Sequence, residues 1–204
     1  QCGQRRCRVA LKQLEQAIQA AETAFKEWAD VTAEDRGSAL MNACELIKKN
    51  SNEISQLLTQ EQGKTLFEAG LEIHHLVHGL EFYAGLASKV RGSHVPLPQK
   101  GAYGMVIRQP IGVCAGIVPW NFPLTLMGTK LGPALAAGNS IIIKPASTTP
   151  LATARVIELI AQATFGEGKA QKTLPKGTVN VVTGPGSSVG EEILRNPRIR
   201  RIAF

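Results

Sequence analysis

The most informative part of the chain is residues 110–150, which read PIGVCAGIVPWNFPLTLMGTKLGPALAAGNSIIIKPASTTP. Residues 111–118 are an almost unbroken run of small and apolar side chains, as in a strand that is buried on both faces of a parallel sheet. Pro119 ends this strand because proline cannot donate a hydrogen bond to a neighbouring strand. The segments that follow predict, in order, a helix, a second strand and another helix, at residues 124–137, 140–144 and 151–165. This β-α-β-α order with short crossovers predicts a right-handed parallel sheet.

Polar side chains follow both predicted strands. Asn121 comes just after the first strand, and Lys144 and Ser147 stand at the end of the second. Because ligands of parallel sheets bind beyond the carboxyl ends of the strands, these residues are predicted to lie side by side at one mouth of the sheet. The amide of Asn121 suits an oxyanion hole, in which a fixed donor meets developing negative charge. The alternative is an asparagine that stabilises its own turn, and the spacing alone favours this alternative.

Five segments of the chain occur in the order found in one protein family. They read PWNFP at residues 119–123, KLGPALAAGN at 130–139, KPASTTP at 144–150, VNVVTGPG at 179–186 and RIAF at 201–204. Together they resemble the aldehyde dehydrogenase superfamily over most of the chain, and look most similar to its succinate-semialdehyde dehydrogenase branch. The resemblance implies an α/β fold: N-terminal helices, a β-ribbon and the Rossmann-like parallel sheet of the family's cofactor-binding domain, truncated before the catalytic domain.

The same resemblance implies NADP or NAD as the cofactor. The positions that match the family's cofactor contacts are Ile117, Val118, Pro119, Trp120, Asn121, Lys144, Ala146, Ser147, Gly186, Gly190 and Phe204. Asn121 also matches the family's oxyanion donor. The glycines from Gly184 to Gly190 are spaced GxGxxxG, which is not the Rossmann fingerprint, so without the resemblance a structural turn would explain them equally well. Many NAD-preferring relatives carry glutamate where Ser147 stands, so a full-length protein is expected to accept NADP, even preferentially.

The reaction that the resemblance implies is oxidation of an aldehyde through a cysteine thiohemiacetal, hydride transfer to NAD(P) and hydrolysis of a thioester. The family's nucleophilic cysteine and general-base glutamate lie well beyond its FTGS motif, of which this chain has only Phe204. The 204 residues are therefore expected to be inactive alone. Cys114 lies in the middle of an apolar strand and is predicted to be an inert buried thiol. The alternative is a non-catalytic oligomerising or regulatory fragment of the same fold.

Three segments are predicted along the chain. Residues 1–89 form N-terminal helices, with the first over residues 10–29 and with Thr32 and Thr65 as N-caps of later ones. Residues 90–110 form a ribbon in which strands 93–97 and 102–108 pair, and the resemblance implies that it builds a homo-oligomer. Residues 111–204 form the incomplete Rossmann-like part, with a strand at 178–182, a helix from Ser187 or Ser188 and a strand from 200.

The composition limits the class of protein. An apolar fraction of 44% without a run long enough to span a bilayer predicts a globular protein without a membrane partner. The net charge of +7 comes from scattered basic residues, and no nucleic-acid-binding module is recognisable, so no nucleic-acid partner is expected. The spacing of the four cysteines fits neither a metal site nor a disulfide framework, which agrees with a reducing compartment, the cytoplasm or the mitochondrion. The histidines His74 and His78 share a helix face without a third ligand, which predicts no metal site. The opening QCGQRRC is a targeting remnant, a fragment edge or a cloning scar.

Overall fold

The computed structural model describes residues 2–204, without the side chains of residues 2–9 and of Lys169. The predictions for the opening QCGQRRC lie outside the residues whose side chains are described. The helices are α1 (Cys2–Ala29), α2 (Ala33–Lys49), α3 (Ser51–Gln62), α4 (Leu66–Leu86), α5 (Pro123–Ala136), α6 (Leu151–Ala161) and α7 (Glu191–Arg195). The strands are β1 (Ser93–Pro96), β2 (Tyr103–Val106), β3 (Val113–Ile117), β4 (Ser140–Lys144), β5 (Thr164–Phe165), β6 (Lys172–Thr173), β7 (Val179–Val181) and β8 (Ile199–Ala203).

Four strands form a parallel sheet in the order β7-β4-β3-β8, which confirms the predicted α/β architecture. The two central strands pair with Val113 opposite Ser140 and Ile117 opposite Lys144. β4 has the predicted bounds. β3 begins at Val113 rather than at residue 111, because Asn139 Oδ1 accepts hydrogen bonds from the N–H groups of Ile111 (2.7 Å) and Gly112 (3.1 Å). Those two residues therefore bond to a side chain instead of a neighbouring strand.

The sheet has one hydrophobic core on each face. Successive strand residues point to opposite faces, so Cys114 joins the larger core and Ala115 the smaller one. The larger core contains side chains of α2 to α6 and Trp28 from the end of α1, whereas the smaller one contains other buried side chains of α1 and those of α7. The helices that follow β3 and β4 thus cover one face, and the short helix that follows β7 covers the other.

The N-terminal helices follow their predicted caps. Thr32 Oγ1 accepts a hydrogen bond from the Asp35 N–H at 3.1 Å, and Thr65 with Glu68 forms a complete capping box at the start of α4. The predicted start of the first helix at residue 10 is wrong, since α1 begins at Cys2. Gln and Arg dominate residues 4–8, both favour helix, and no proline interrupts them.

The predicted end of the helix after β4 is also wrong. α6 stops at Ala161, and Thr164 and Phe165 form a two-residue strand that pairs antiparallel with Lys172 and Thr173. Thr and Phe favour strand over helix, and Phe165 packs edge-on against Trp28 with ring centroids 5.7 Å apart. Gly166, with φ of +78°, then provides a turn that a residue with a Cβ would adopt only under strain.

β1 and β2 pair antiparallel as a ribbon, as predicted, and the structure places His94 opposite Met105. Its side chains are largely exposed, and that of Met105 is 71% exposed. The part of the chain that the structure describes contains no helix long and apolar enough to cross a membrane.

Candidate functional site

The carboxyl ends of β4 and β7 form a topological switch point. The chain leaves β4 toward α6, which packs in the larger core, and leaves β7 toward α7, which packs in the smaller core on the other face. The two loops therefore diverge and leave a crevice between neighbouring strands, the usual ligand position in open α/β sheets. Ser147 lies on one loop and Gly184 on the other, and Ser147 Oγ donates to the Gly184 carbonyl at 3.4 Å.

Lys144 places a buried positive charge at this crevice. It is the last residue of β4, is 5% exposed, and donates from Nζ to the Pro145 carbonyl at 3.2 Å. Burial lowers the pKa of Lys144, and burial is the only resolved cause of that shift. A Cβ on Gly190 would lie 3.9 Å from Lys144 Cε, so the glycine segment directly faces the side chain of Lys144. A cation with unused donors in a crevice suits an anionic ligand.

The glycine segment begins with a π-helical turn over Gly186–Gly190, and α7 starts only at Glu191. The predicted helix start at Ser187 or Ser188 is thus wrong for an α-helix, because Ser188, Val189 and Gly190 all direct their N–H groups to the Pro185 carbonyl, with Gly190 reaching it as an i→i+5 bond. Gly186 has open space where a Cβ would stand. A ligand can therefore approach the backbone closely here.

The predicted residues Ile117, Val118, Pro119 and Trp120 lie beside the Lys144 segment. The Val118 N–H donates to the Lys144 carbonyl at 3.0 Å, which joins the ends of β3 and β4. Trp120 is 62% exposed, and Asn121 is also exposed. The structure thus brings the ends of β3 and β4 together at one edge, as predicted, and the end of β7 lies next to that of β4. Ala146 lies half-buried in the loop between Lys144 and Ser147.

Phe204 stands apart from the glycine segment. It follows β8, which pairs with the opposite side of β3 from β4, and its side chain is 97% exposed. Two strands, β3 and β4, therefore separate the end of β8 from β7 and Gly186. Phe204 therefore lies near the carboxyl end of β3 and not at the crevice between β4 and β7.

Three residues that the sequence did not identify hold the Asn121 loop. Gln62 Nε2 donates to the carbonyls of Trp120 and Asn121, both at 2.8 Å. Lys64 Nζ donates to the Asn121 carbonyl at 3.3 Å and forms an ion pair with the buried carboxylate of Glu72. The signal in the sequence was Glu72 itself, a charged residue on the buried stripe of α4 formed by Ala69, Ile73, Leu76, Val77 and Leu80.

A comparison with known families identifies the fold and the five segments together. The family model for aldehyde dehydrogenases matches residues 6–204. The chain belongs to the aldehyde dehydrogenase family. Relatives include the 2,5-dioxopentanoate dehydrogenase of Saccharolobus solfataricus, which is 39% identical over 191 residues, covering 94% of this chain and 38% of the relative. The NADP(+) succinate-semialdehyde dehydrogenase of Escherichia coli is 39% identical over 188 residues, covering 92% of this chain and 37% of the relative.

A solved aldehyde dehydrogenase structure agrees with the fold. The betaine aldehyde dehydrogenase of Staphylococcus aureus, in complex with NAD+, superimposes with a TM-score of 0.84 at 35% identity, covering 93% of this chain and 37% of that one. The chain thus spans about 38% of the length of the relatives it matches. The sequence-based assignment to the family and to its Rossmann-like fold is confirmed.

The two cysteines with described side chains are poor candidates for the nucleophile of this family. Both Cys44 and Cys114 are free and buried. Burial raises the pKa of Cys44 to about 12 and also raises the pKa of Cys114. Cys114 is therefore a buried thiol, as predicted. The rings of His74 and His78 stack at 6.5 Å, and no group of three or more potential metal ligands occurs in the described part of the chain.

Proposed function

We propose that this chain is the cofactor-binding portion of an NAD(P)-dependent aldehyde dehydrogenase. The observation that carries the proposal is the meeting of Lys144, Ser147 and the Gly186–Gly190 turn at the switch point of a family sheet. NADP or NAD, when bound, accepts a hydride from the substrate. Lys144 and Ser147 would hold the ribose and its phosphate. Gly186 and Gly190 would let the dinucleotide approach the backbone closely, and residues 117–120 would contact the cofactor from the end of β3.

NADP is the preferred cofactor in this proposal. Ser147 offers a hydroxyl where an acid would repel a 2′-phosphate, and Lys144 offers a positive charge. None of the ion pairs among the described residues involves Lys144, so no carboxylate within salt-bridge distance competes for its charge. A dianionic phosphate would supply the missing partner.

Asn121 is the proposed oxyanion donor for an aldehyde, and the substrate class includes semialdehydes such as those named for the relatives. Gln62 and Lys64 both donate to the backbone carbonyl of Asn121. Neither of these bonds uses its side-chain amide, which therefore stays available to a ligand. We place the nucleophilic cysteine and the general base outside these 204 residues, and expect no turnover from this chain alone. Cellular location in the cytoplasm or the mitochondrion is part of the same proposal.

The domain assignment is proposed with the function: helices over 1–89, an oligomerisation ribbon over 90–110 and the nucleotide-binding part over 111–204. The second candidate, a non-catalytic oligomerising fragment, is favoured by one observation. The ribbon exposes Val95, Tyr103 and Met105, apolar side chains that a neighbouring subunit would cover. Light scattering tests the oligomerisation assignment itself, since the ribbon predicts a homodimer or homotetramer for the complete enzyme and a monomer would contradict it.

Titration of the 204-residue chain with NADPH and NADH, followed by cofactor fluorescence, tests the site. We expect Ser147→Glu to weaken NADPH relative to NADH by about tenfold or more, because a carboxylate would face the 2′-phosphate. Thr148→Glu is the matched control, since it adds the same charge at the next exposed position and should leave the ratio within about twofold. A wild-type chain that strongly prefers NADH, with a ratio unchanged in Ser147→Glu, would contradict the proposal.

The inactivity of the chain alone is tested with a panel of aldehydes and either cofactor, by absorbance of the reduced cofactor. The purified chain should show no turnover. Turnover that persists through purification and disappears in Cys114→Ser would show that the nucleophile is present after all.

A further inference from the structure

The loop that carries Asn121 leads into a helix without a cap of its own. Phe122 stands at the N-cap of α5 and makes no side-chain capping bond, and Pro123 has no N–H. The next donors, the N–H groups of Leu124 and Thr125, have no partner within the helix. They need an acceptor from elsewhere in the fold.

Glu72 supplies this acceptor from the middle of α4. Its Oε1 accepts from the Leu124 N–H at 2.7 Å and from the Thr125 N–H at 3.2 Å. The Glu72 side chain is 0% exposed, so its charge requires compensation. The positive end of the α5 dipole provides part of it, and the ion pair with Lys64, whose side chain is 10% exposed, provides the rest.

Lys64 and Gln62 extend this support to the loop. Lys64 Nζ lies 4.8 Å from the centroid of the Phe122 ring and donates to the Asn121 carbonyl. Gln62 bonds to the carbonyls of Trp120 and Asn121. Five hydrogen bonds, three to loop carbonyls and two from α5 N–H groups, thus fix the backbone on both sides of Asn121.

We propose that Gln62, Lys64 and Glu72 are positioning residues for Asn121, a clamp anchored by the buried carboxylate of Glu72 that aims the Asn121 amide at the aldehyde oxygen. This inference rests on the proposed function, in which Asn121 is the oxyanion donor. A donor of this kind contributes only when it is fixed before charge develops. An exposed loop residue would otherwise have to be ordered in every catalytic cycle, at an entropic cost.

The first test uses the 204-residue chain and needs no cofactor. In the double variant Lys64→Met/Glu72→Ala, which leaves no unpaired buried charge, hydrogen exchange of the Leu124 and Thr125 amides should accelerate by about tenfold or more. In Gln62→Met, the NMR signals of the Trp120 indole and the Asn121 amide should shift or broaden.

Two internal controls accompany this test. The indole of Trp28, which donates to the Leu135 carbonyl at 3.1 Å inside the core, should keep its signal in every variant. Arg155→Met removes the ion pair between Arg155 and Glu53, which joins α6 to α3, and should change neither exchange nor the loop signals. Unchanged exchange and loop signals in the clamp variants would overturn the inference.

The second test separates positioning from stability in the catalytically complete enzyme. Gln62→Met should lower kcat by about tenfold or more while the KM for NADP+ stays within about twofold, and Lys64→Arg should restore most of what Lys64→Met loses. If the NMR signals show that the loop of a clamp variant has moved but its kcat is unchanged, the clamp is refuted. If Asn121→Ala itself leaves kcat unchanged, the proposed function fails, whereas the loop measurements on the 204-residue chain still decide whether the clamp exists.

Discussion

Replacing Lys144 by methionine should stabilise the chain while abolishing its binding of NADPH. Lys144 is a nearly fully buried residue, and among the described residues its ammonium group makes a single hydrogen bond, to the Pro145 carbonyl. Removing an ion from water costs several kcal/mol, whereas one hydrogen bond from a charged donor returns only about 1.5–3 kcal/mol. Methionine keeps the length and the packing of the side chain. We therefore expect Lys144→Met to raise the free energy of unfolding by about 1–2 kcal/mol, or Tm by about 2–8 °C.

The pH dependence of this gain follows from the direction of the pKa shift. The folded pKa of Lys144 lies below its ordinary value of 10.5, so between the two values the unfolded chain binds more protons than the folded one. Stability of the wild type therefore rises with pH in this window. The full burial penalty is present below the folded pKa and is relieved as pH rises toward 10.5. The advantage of Lys144→Met should be largest near neutral pH and should shrink in alkaline solution.

Urea unfolding of both proteins, with and without NADPH, measures this prediction. NADPH at a hundred times its Kd adds about 2.7 kcal/mol to the wild type and little to the variant, so the order of stability should reverse on adding cofactor. Lys130→Met is the matched control. Burial also lowers the pKa of Lys130, but its Nζ donates to the Leu126 carbonyl within α5, away from the switch point. Loss of more than about 1 kcal/mol in cofactor-free Lys144→Met, or equal stabilisation of both proteins by NADPH, would refute the reasoning.

Three further predictions concern the glycine segment, the core and the thiols. Gly186→Ala should keep its stability within about 0.5 kcal/mol and lose cofactor affinity, because its Cβ meets only open space. Gly184→Ala should lose about 1–3 kcal/mol in urea unfolding, since its Cβ would stand 2.5 Å from Val189 Cγ2; an equal effect of both on stability would contradict the assignment. Trp28→Phe should cost about 1–3 kcal/mol by the same assay, through an unpaired carbonyl and lost volume, and a neutral effect would be inconsistent with its buried bond. Cys44 and Cys114 should resist a thiol reagent in the folded Cys2→Ser/Cys7→Ser variant and react in urea; rapid reaction without urea would contradict their burial.

The sheet could be predicted from the sequence because its signals are local. The apolar run before Lys144 gave both bounds of β4, and the rule for carboxyl ends brought Lys144 and the Asn121 loop to one edge. The end of α6 could not be predicted in this way. It depends on two residues pairing with Lys172 and Thr173, a contact that becomes favourable only when Phe165 can pack on Trp28.

The hydrogen bonds that hold the Asn121 loop and the start of α5 could not be predicted from local sequence patterns either, because they join residues far apart in the chain. Glu72 and Leu124 are 52 positions apart, and Gln62 and Asn121 are 59 apart. The sequence around α5 showed an uncapped start, and the sequence of α4 showed an acid on a buried stripe. Either signal alone is ambiguous, and only the packing of α4 against α5 joins them.

The end of α3 links the two halves of the candidate site. Glu61 accepts hydrogen bonds from the N–H groups of Leu151 (2.7 Å) and Ala152 (3.0 Å), and so caps α6, the helix that follows the Ser147 loop. The next residue, Gln62, holds the Asn121 loop, and Gly63, with φ of +90°, ends the helix directly afterwards. Because neighbouring residues on a single turn contact the start of α6 and the Asn121 loop, a displacement of this turn would move the proposed cofactor side and the proposed aldehyde side together.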